Sequence, residues 1–274
     1  MSFHSDREYT QAGTRGTAVV TGASAGIGRV FADRLARQGY NLILVARRAS
    51  RLEDLALELR KRYEVGVEPI AADLAASEGV ERIVEYFSVR DDITLLVNNA
   101  GTATLGNVWE SKPASLAAMI NLNVVALTRL CAAALFAFRS RDRGAIVNVG
   151  SVLGFHSLPI SSIYSGTKGY VLNFTLGIQQ EVAGSNVKVH LAAPGAIATD
   201  LWEISGVPLS NLDPAIVMTA ERAVDAILSG FALGESVILP SVESSDLLQH
   251  YEEARLALLT ASQTSSPANR YSVP

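Results

Sequence analysis

Ala18-Val19-Val20-Thr21-Gly22-Ala23-Ser24-Ala25-Gly26-Ile27-Gly28 is the stretch that decides how this chain is read. A β-branched run enters three glycines spaced G-x-x-x-G-x-G, and an amphipathic segment, Gly26 to Gln38, follows. Glycine between a strand and a helix permits a tight turn and a close approach of backbone to ligand. The helix opening there presents unpaired amides and a positive dipole end, which suits a pyrophosphate. A glycine-rich turn can also be only a tight connection. Its place after the first strand of a strand–helix chain points to a dinucleotide site held by Gly22, Ser24, Ala25, Gly26, Ile27 and Gly28.

Outward from this turn the alternation continues. Apolar, β-branched runs at 42–45, 67–72, 95–97, 145–149, 187–192 and 237–239 read as strands. Amphipathic stretches at 50–63, 78–90, 111–138, 163–183, 214–229 and 246–261 read as helices. Continuous apolar strands are those buried on both faces of a parallel sheet. The pattern therefore predicts a doubly wound parallel α/β fold in three layers, with ligand bound at the carboxyl ends of the strands. The 274 residues suffice for one domain, expected over 16–261, with polar tails at 1–15 and 262–274.

Composition removes several function classes. Apolar residues make up 49% and charged residues 18%, with a net charge of −4, which disfavours nucleic acid as partner. The basic runs Arg60-Lys61-Arg62 and Arg139 to Arg143 follow apolar-periodic stretches, where cations complement a helix C-terminus. Cys131 is the single cysteine and lies in an apolar run, which predicts an inert core thiol and a reducing, cytoplasmic setting. Asp6, Arg7 and Glu8 interrupt the N-terminus, so no signal peptide is expected. Leu116 to Phe138 carries Asn121, Asn123 and Arg129 and is expected to be a buried helix with no role in a membrane. The four histidines are scattered and suggest no metal site.

Chemistry concentrates later in the chain. Tyr164 and Lys168 are four residues apart, which on a helix places phenol and ammonium on one face. A nearby cation favours the phenolate and is expected to lower the Tyr164 pKa. Ser151, thirteen residues upstream, offers a hydroxyl to the same reacting oxygen. After the second strand the chain has Ala46-Arg47-Arg48 where an NAD site would carry a carboxylate. A guanidinium can grip a 2′-phosphate, so NADP(H) is expected over NAD(H), unless both arginines merely open the next helix in solvent. Asp73 and Leu74 follow the third strand. Asp73 would accept from an adenine amino group or cap the next helix.

These pieces together resemble the short-chain dehydrogenase/reductase family in its compact, single-domain Rossmann form. The likeness runs over about residues 15 to 200, through Thr21 to Gly28, Asp73-Leu74, Asn98-Asn99-Ala100-Gly101, Asn123, Ser151, Tyr164 with Lys168, and Pro194-Gly195 with Thr199. It implies that Tyr164 is the general acid in carbonyl reduction and the base in alcohol oxidation. Lys168 would hold the nicotinamide ribose, Ser151 would orient the substrate oxygen, and Asn123 would hold a water linking Lys168 to solvent. Asn99, Ala100 and Gly101 would floor the cofactor crevice, while Pro194, Gly195, Ile197 and Thr199 would line the nicotinamide. It also implies a homodimer or homotetramer through the catalytic helix and the long helix before it. Ala126 stands where the family often has glycine, and Gly166 and Gly169 sit in the catalytic helix, where close packing would account for them.

The reading is an oxidoreductase acting on a small carbonyl or alcohol. Ile197 to Met218, rich in Leu201, Trp202, Ile204, Val207 and Leu209, is expected to act as an apolar lid, and Leu153 to Ile160 to shape the site with it. Two alternatives stand beside it. One is a non-catalytic nucleotide-binding or regulatory protein on the same fold. The other is an epimerase or dehydratase, for which the residues after Thr199 are few.

Overall fold

The computed structural model describes residues 15–271. The expected tail residues 1–14 and 272–274 lie outside them. The described residues form two compact units that divide after Pro240. In the first unit the strands are β1 (Thr17–Thr21), β2 (Asn41–Ala46), β3 (Val67–Ala71), β4 (Ile93–Asn98), β5 (Gly144–Val149), β6 (Val187–Ala192), β7 (Ala196–Ala198), β8 (Val217–Thr219) and β9 (Val237–Ile238). Its helices are α1 (Gly26–Arg37), α2 (Ala49–Tyr63), α3 (Ser77–Val89), α4 (Pro113–Ile120), α5 (Leu127–Ser140), α6 (Ser162–Glu181), α7 (Leu201–Ser205) and α8 (Ala220–Leu233). The second unit holds α9 (Asp246–Ser262), then exposed chain with one short 3-10 turn at Asn269–Tyr271.

Seven strands pair in parallel in the order β3-β2-β1-β4-β5-β6-β9. The winding reverses between β1 and β4, so a crevice opens at their carboxyl ends. Every residue of β1 is buried. Ala18 and Val20 join Phe31 and Leu35 of α1 and Leu52, Leu55 and Leu59 of α2 in one core cluster. Val19 and Ile43, which point to the opposite side, are buried as completely. Each such Val, Leu, Ile or Phe contributes about 1.5–3 kcal/mol relative to exposure.

Three segments depart from the expectation. The predicted 111–138 helix is interrupted by a π-helical turn at Asn121–Ala126. Pro113–Ser140 remains long and apolar enough to cross a membrane by length and composition, with a mean hydropathy of 1.7 over an 18-residue window. It is not buried all round. Leu130, Cys131, Ala134 and Phe138 face the core, whereas Phe136 is 83% exposed. The helix predicted at 214–229 starts at Ala220, because the Thr219 hydroxyl caps it by accepting from Arg222 N at 3.3 Å. The residues before it form β8, which pairs with β7 in a separate two-stranded sheet. The expected lid is thus an excursion whose two ends are stapled together. In α6, a Cβ on Gly169 would lie 3.6 Å from Gly154 O, but one on Gly166 would meet nothing within 4 Å, so packing within this chain does not account for Gly166.

Beneath the crevice runs a chain of buried polar groups. Asn98 Nδ2 donates to Asn148 Oδ1 at 3.1 Å and to Cys131 Sγ at 3.2 Å, and Asn148 Nδ2 donates to Thr175 Oγ1 at 3.0 Å. Burial pushes the Cys131 thiol up to about 12, which agrees with an inert core cysteine. Replacing Asn148 by Ala strands these donors and acceptors. The expected loss is about 1–3 kcal/mol for each buried group left unpaired, read as a lower urea midpoint with an unchanged slope.

Candidate active site

The glycine turn is shaped by contact as well as by conformation. A Cβ on Gly28 would lie 2.4 Å from Gly22 O and 2.5 Å from Asn99 Nδ2, so α1 can start only this close to β4 without a side chain. Thr21 Oγ1 accepts from Asn99 N at 3.0 Å and Ala100 N at 2.9 Å, and donates to Val97 O at 3.2 Å. Asn99 Nδ2 returns a bond to Thr21 O at 2.9 Å. The turns after β1 and β4 are therefore one structure.

A cavity of about 490 Å³ opens beside them. Its walls include Gly22, Ser24, Ala25, Gly26, Ile27, Arg47, Arg48, Asp73, Leu74, Asn99, Ala100, Gly101, Ser151, Tyr164, Lys168, Pro194, Gly195, Ile197 and Thr199. Of the catalytic and cofactor-binding residues expected from the sequence, Gly28 and Asn123 stand behind the wall. The lid residues Val207 and Leu209 do not reach it, whereas Leu212 and Ile216 do.

At one end, Arg48 donates to Ser24 Oγ from Nε at 3.2 Å and Nη2 at 3.1 Å. Asp200 Oδ2 lies 3.9 Å from Arg48 Nη1 and 3.5 Å from Arg51 Nη1. This carboxylate and Arg51 have no local motif and were not found in the sequence. Asp73 Oδ1 accepts from Ala75 N at 3.0 Å, and α3 begins only at Ser77, so Asp73 makes a turn without capping the helix.

At the other end three elements meet. Ser151 follows β5, and its Oγ accepts from Leu153 N at 3.1 Å. A Cβ on Gly154 would lie 2.7 Å from Lys168 O, so glycine lets the Ser151 turn press onto α6. Lys168 Nζ donates to Val149 O at 2.9 Å and lies 5.7 Å from the Tyr164 ring centroid. The Tyr164 hydroxyl lines the same cavity as Ser151, whose hydroxyl is near enough to favour the phenolate.

The electrostatics correct one expectation. Burial pushes the Tyr164 phenol up to about 12, only partly offset by the nearby Ser151 hydroxyl, where the sequence suggested a lowered value. Lys168 is itself depressed to about 8 by burial, and its ammonium sits over the ring and bonds a backbone carbonyl. The site therefore holds a neutral phenol beside an amine near its titration point.

Asn123 sits at the π-helical turn and has both amide donors and one acceptor site of its oxygen engaged. Oδ1 accepts from Thr102 N at 2.9 Å, and Nδ2 donates to Thr102 O at 2.9 Å and Thr167 Oγ1 at 3.1 Å. Its side chain staples the turn after β4 to α6.

The model of the family described as short chain dehydrogenase matches residues 16–206. The chain belongs to that family. Among its relatives, an NADP-dependent 3-hydroxy acid dehydrogenase of Schizosaccharomyces pombe is 35% identical over 235 residues, covering 81% of this chain and 89% of the relative. A short-chain dehydrogenase of Sphingobium yanoikuyae, solved with NADPH, superposes with a TM-score of 0.91 at 36% identity, covering 94% of this chain and all of the other. A bulky-bulky ketone specific alcohol dehydrogenase of Comamonas testosteroni gives 0.86 at 33%, covering 94% and 99%. As a short-chain dehydrogenase, the protein is an oxidoreductase that acts between alcohol and carbonyl with a nicotinamide cofactor.

The fit to that cofactor is visible in the chain. A turn closed to side chains at Gly28 offers the free amides of α1 to a pyrophosphate, and cations border the end of β2. Asp200 competes for those cations with any phosphate placed there. Asp200→Asn is expected to tighten NADPH binding by up to about fivefold, the scale of one exposed ion pair, with little change for NADH, as measured by titration calorimetry.

Proposed function

We propose that this short-chain dehydrogenase is NADP(H)-preferring and works through Ser151, Tyr164 and Lys168. The observation carrying this reading is the meeting of those three side chains on the wall of one cavity whose far end is bordered by Arg48 and the glycine turn. When bound, the nicotinamide supplies or accepts the hydride. Ser151 Oγ orients the substrate oxygen, and the Tyr164 hydroxyl delivers the proton to it in reduction. A phenol held neutral is in the form that carbonyl reduction consumes. Lys168 holds positive charge beside the developing phenolate and offers donors to the ribose of the cofactor. Asn123 keeps the Gly101-Thr102 turn seated against α6.

The preference for NADP(H) is supported by Arg47 and Arg48 at the end of β2, where the chain itself carries no carboxylate and the nearest one, Asp200, is paired with Arg48 and Arg51. An assembly of two or four copies is supported by Phe136 and Gly166, both exposed and without intrachain cover.

Tyr164→Phe tests the chemistry. It is expected to lower kcat for NADPH-dependent ketone reduction by about 10²–10⁴-fold, while the thermal stabilisation by NADPH persists. Retained activity would contradict the assignment, as would a larger thermal shift with NADH than with NADPH. The pH profile follows from burial. Tyr164 stays protonated up to about 12, so the reductive rate is expected to fall as pH rises through about 8, where Lys168 loses its proton. In Lys168→Arg that fall should move to higher pH, as followed by NADPH absorbance.

A further inference from the structure

We infer that the substrate is an uncharged ketone or secondary alcohol carrying bulky apolar groups, part of which rests on an apolar rim at the cavity mouth. This inference rests on the reading of the site as a carbonyl–alcohol oxidoreductase and names the substrate class for it.

The charged side chains of the cavity gather at one end or are engaged. Arg47 and Arg48 follow β2, and Asp73 follows β3. Asp200 is within 3.9 Å of Arg48 and 3.5 Å of Arg51. Lys168 Nζ is held on Val149 O at 2.9 Å, and its other donors are those assigned to the cofactor ribose. Beyond Ser151 and Tyr164, the wall includes Leu105, Leu153, Leu158, Trp202, Ile204 and Ile216, with other leucines and the hydroxyls of Thr102 and Ser205. None of these lining positions carries a cation. In a 3-oxo acid the carboxylate is so close to the carbonyl that it must enter with it. There it would lose water and gain no partner, which an ionised group tolerates poorly. A relative's activity on 3-hydroxy acids therefore does not transfer to this lining.

The mouth is preformed. Leu105 N donates to Ser205 O at 2.9 Å, and Gly106 N donates to Ile160 O at 2.8 Å, which joins the three segments that frame it. Trp202 Nε1 donates to Ile197 O at 2.8 Å, so the polar edge of the indole is satisfied and its ring serves as a fixed apolar wall. Leu158, Ile204 and Ile216 line the cavity and are nevertheless 48%, 60% and 63% exposed. Apolar side chains that both line a pocket and stand open at its edge are a surface for a ligand larger than the pocket.

The test compares kcat/KM for NADPH oxidation with four probes: an aryl alkyl ketone, the same ketone bearing a ring carboxylate, a short 3-oxo acid and butanone. The neutral aryl ketone is expected to exceed its carboxylated twin and the 3-oxo acid by about 100-fold, the scale of burying an unpaired charge, and to exceed butanone. Ile204→Lys, at an exposed position, is expected to narrow the gap between the carboxylated and neutral aryl ketones by about tenfold through the new cation. Equal or better turnover of the acids, or of butanone, overturns the inference while leaving the oxidoreductase reading intact. Failure to reduce any of the four, with NADPH binding retained, overturns both.

Discussion

One hydroxyl holds the crevice together. Thr21 Oγ1 uses its proton on Val97 O and both lone pairs on the amides of Asn99 and Ala100, which exhausts its hydrogen-bonding capacity. It ties the end of β1 to the end of β4, the two strands between which the sheet reverses. A dinucleotide site and a reaction site can share one cavity only if those ends are fixed together. The absence of a side chain on Gly28 completes the lock, because α1 then starts against Gly22 and Asn99.

The catalytic wall is positioned from behind by similar means. Asn123 binds the turn after β4 to Thr167 on α6, and Gly154 brings the Ser151 turn onto the backbone of Lys168. Deeper still, Asn98, Asn148 and Thr175 couple β4, β5 and α6 through buried hydrogen bonds. Each of these contacts joins elements far apart in sequence, so the site inherits the rigidity of the sheet. The same burial sets its acid–base state, with a protonated phenol and an ammonium depressed toward neutrality.

Much of this was legible in the residues. The strands are continuous apolar runs, and such runs have few folds open to them other than a covered parallel sheet. The glycine turn and the Tyr164–Lys168 spacing are local, so their placement followed from periodicity. What was not legible depends on distant partners. Val217–Thr219 is a strand because it meets Ala196–Ala198, and Pro214 to Ile216 only looks like the start of the following helix. The partnership of Asp200 with Arg48 and Arg51 exists only in the folded chain. The sign of the Tyr164 shift was misjudged because proximity in sequence to a cation is visible there and desolvation is not.

The central claim is that Ser151 and Tyr164, with Lys168 beside the phenol, act on one substrate oxygen next to a dinucleotide seated on the glycine turn. A crystal structure of the protein with NADPH and an unreactive bulky ketone analogue tests it most directly. The account predicts the analogue oxygen within hydrogen-bonding reach, about 2.5–3.0 Å, of both Ser151 Oγ and the Tyr164 hydroxyl, with the 2′-phosphate against Arg48. An analogue oxygen bound away from both hydroxyls, or a cofactor lying elsewhere than over Gly22 to Gly28, would contradict it.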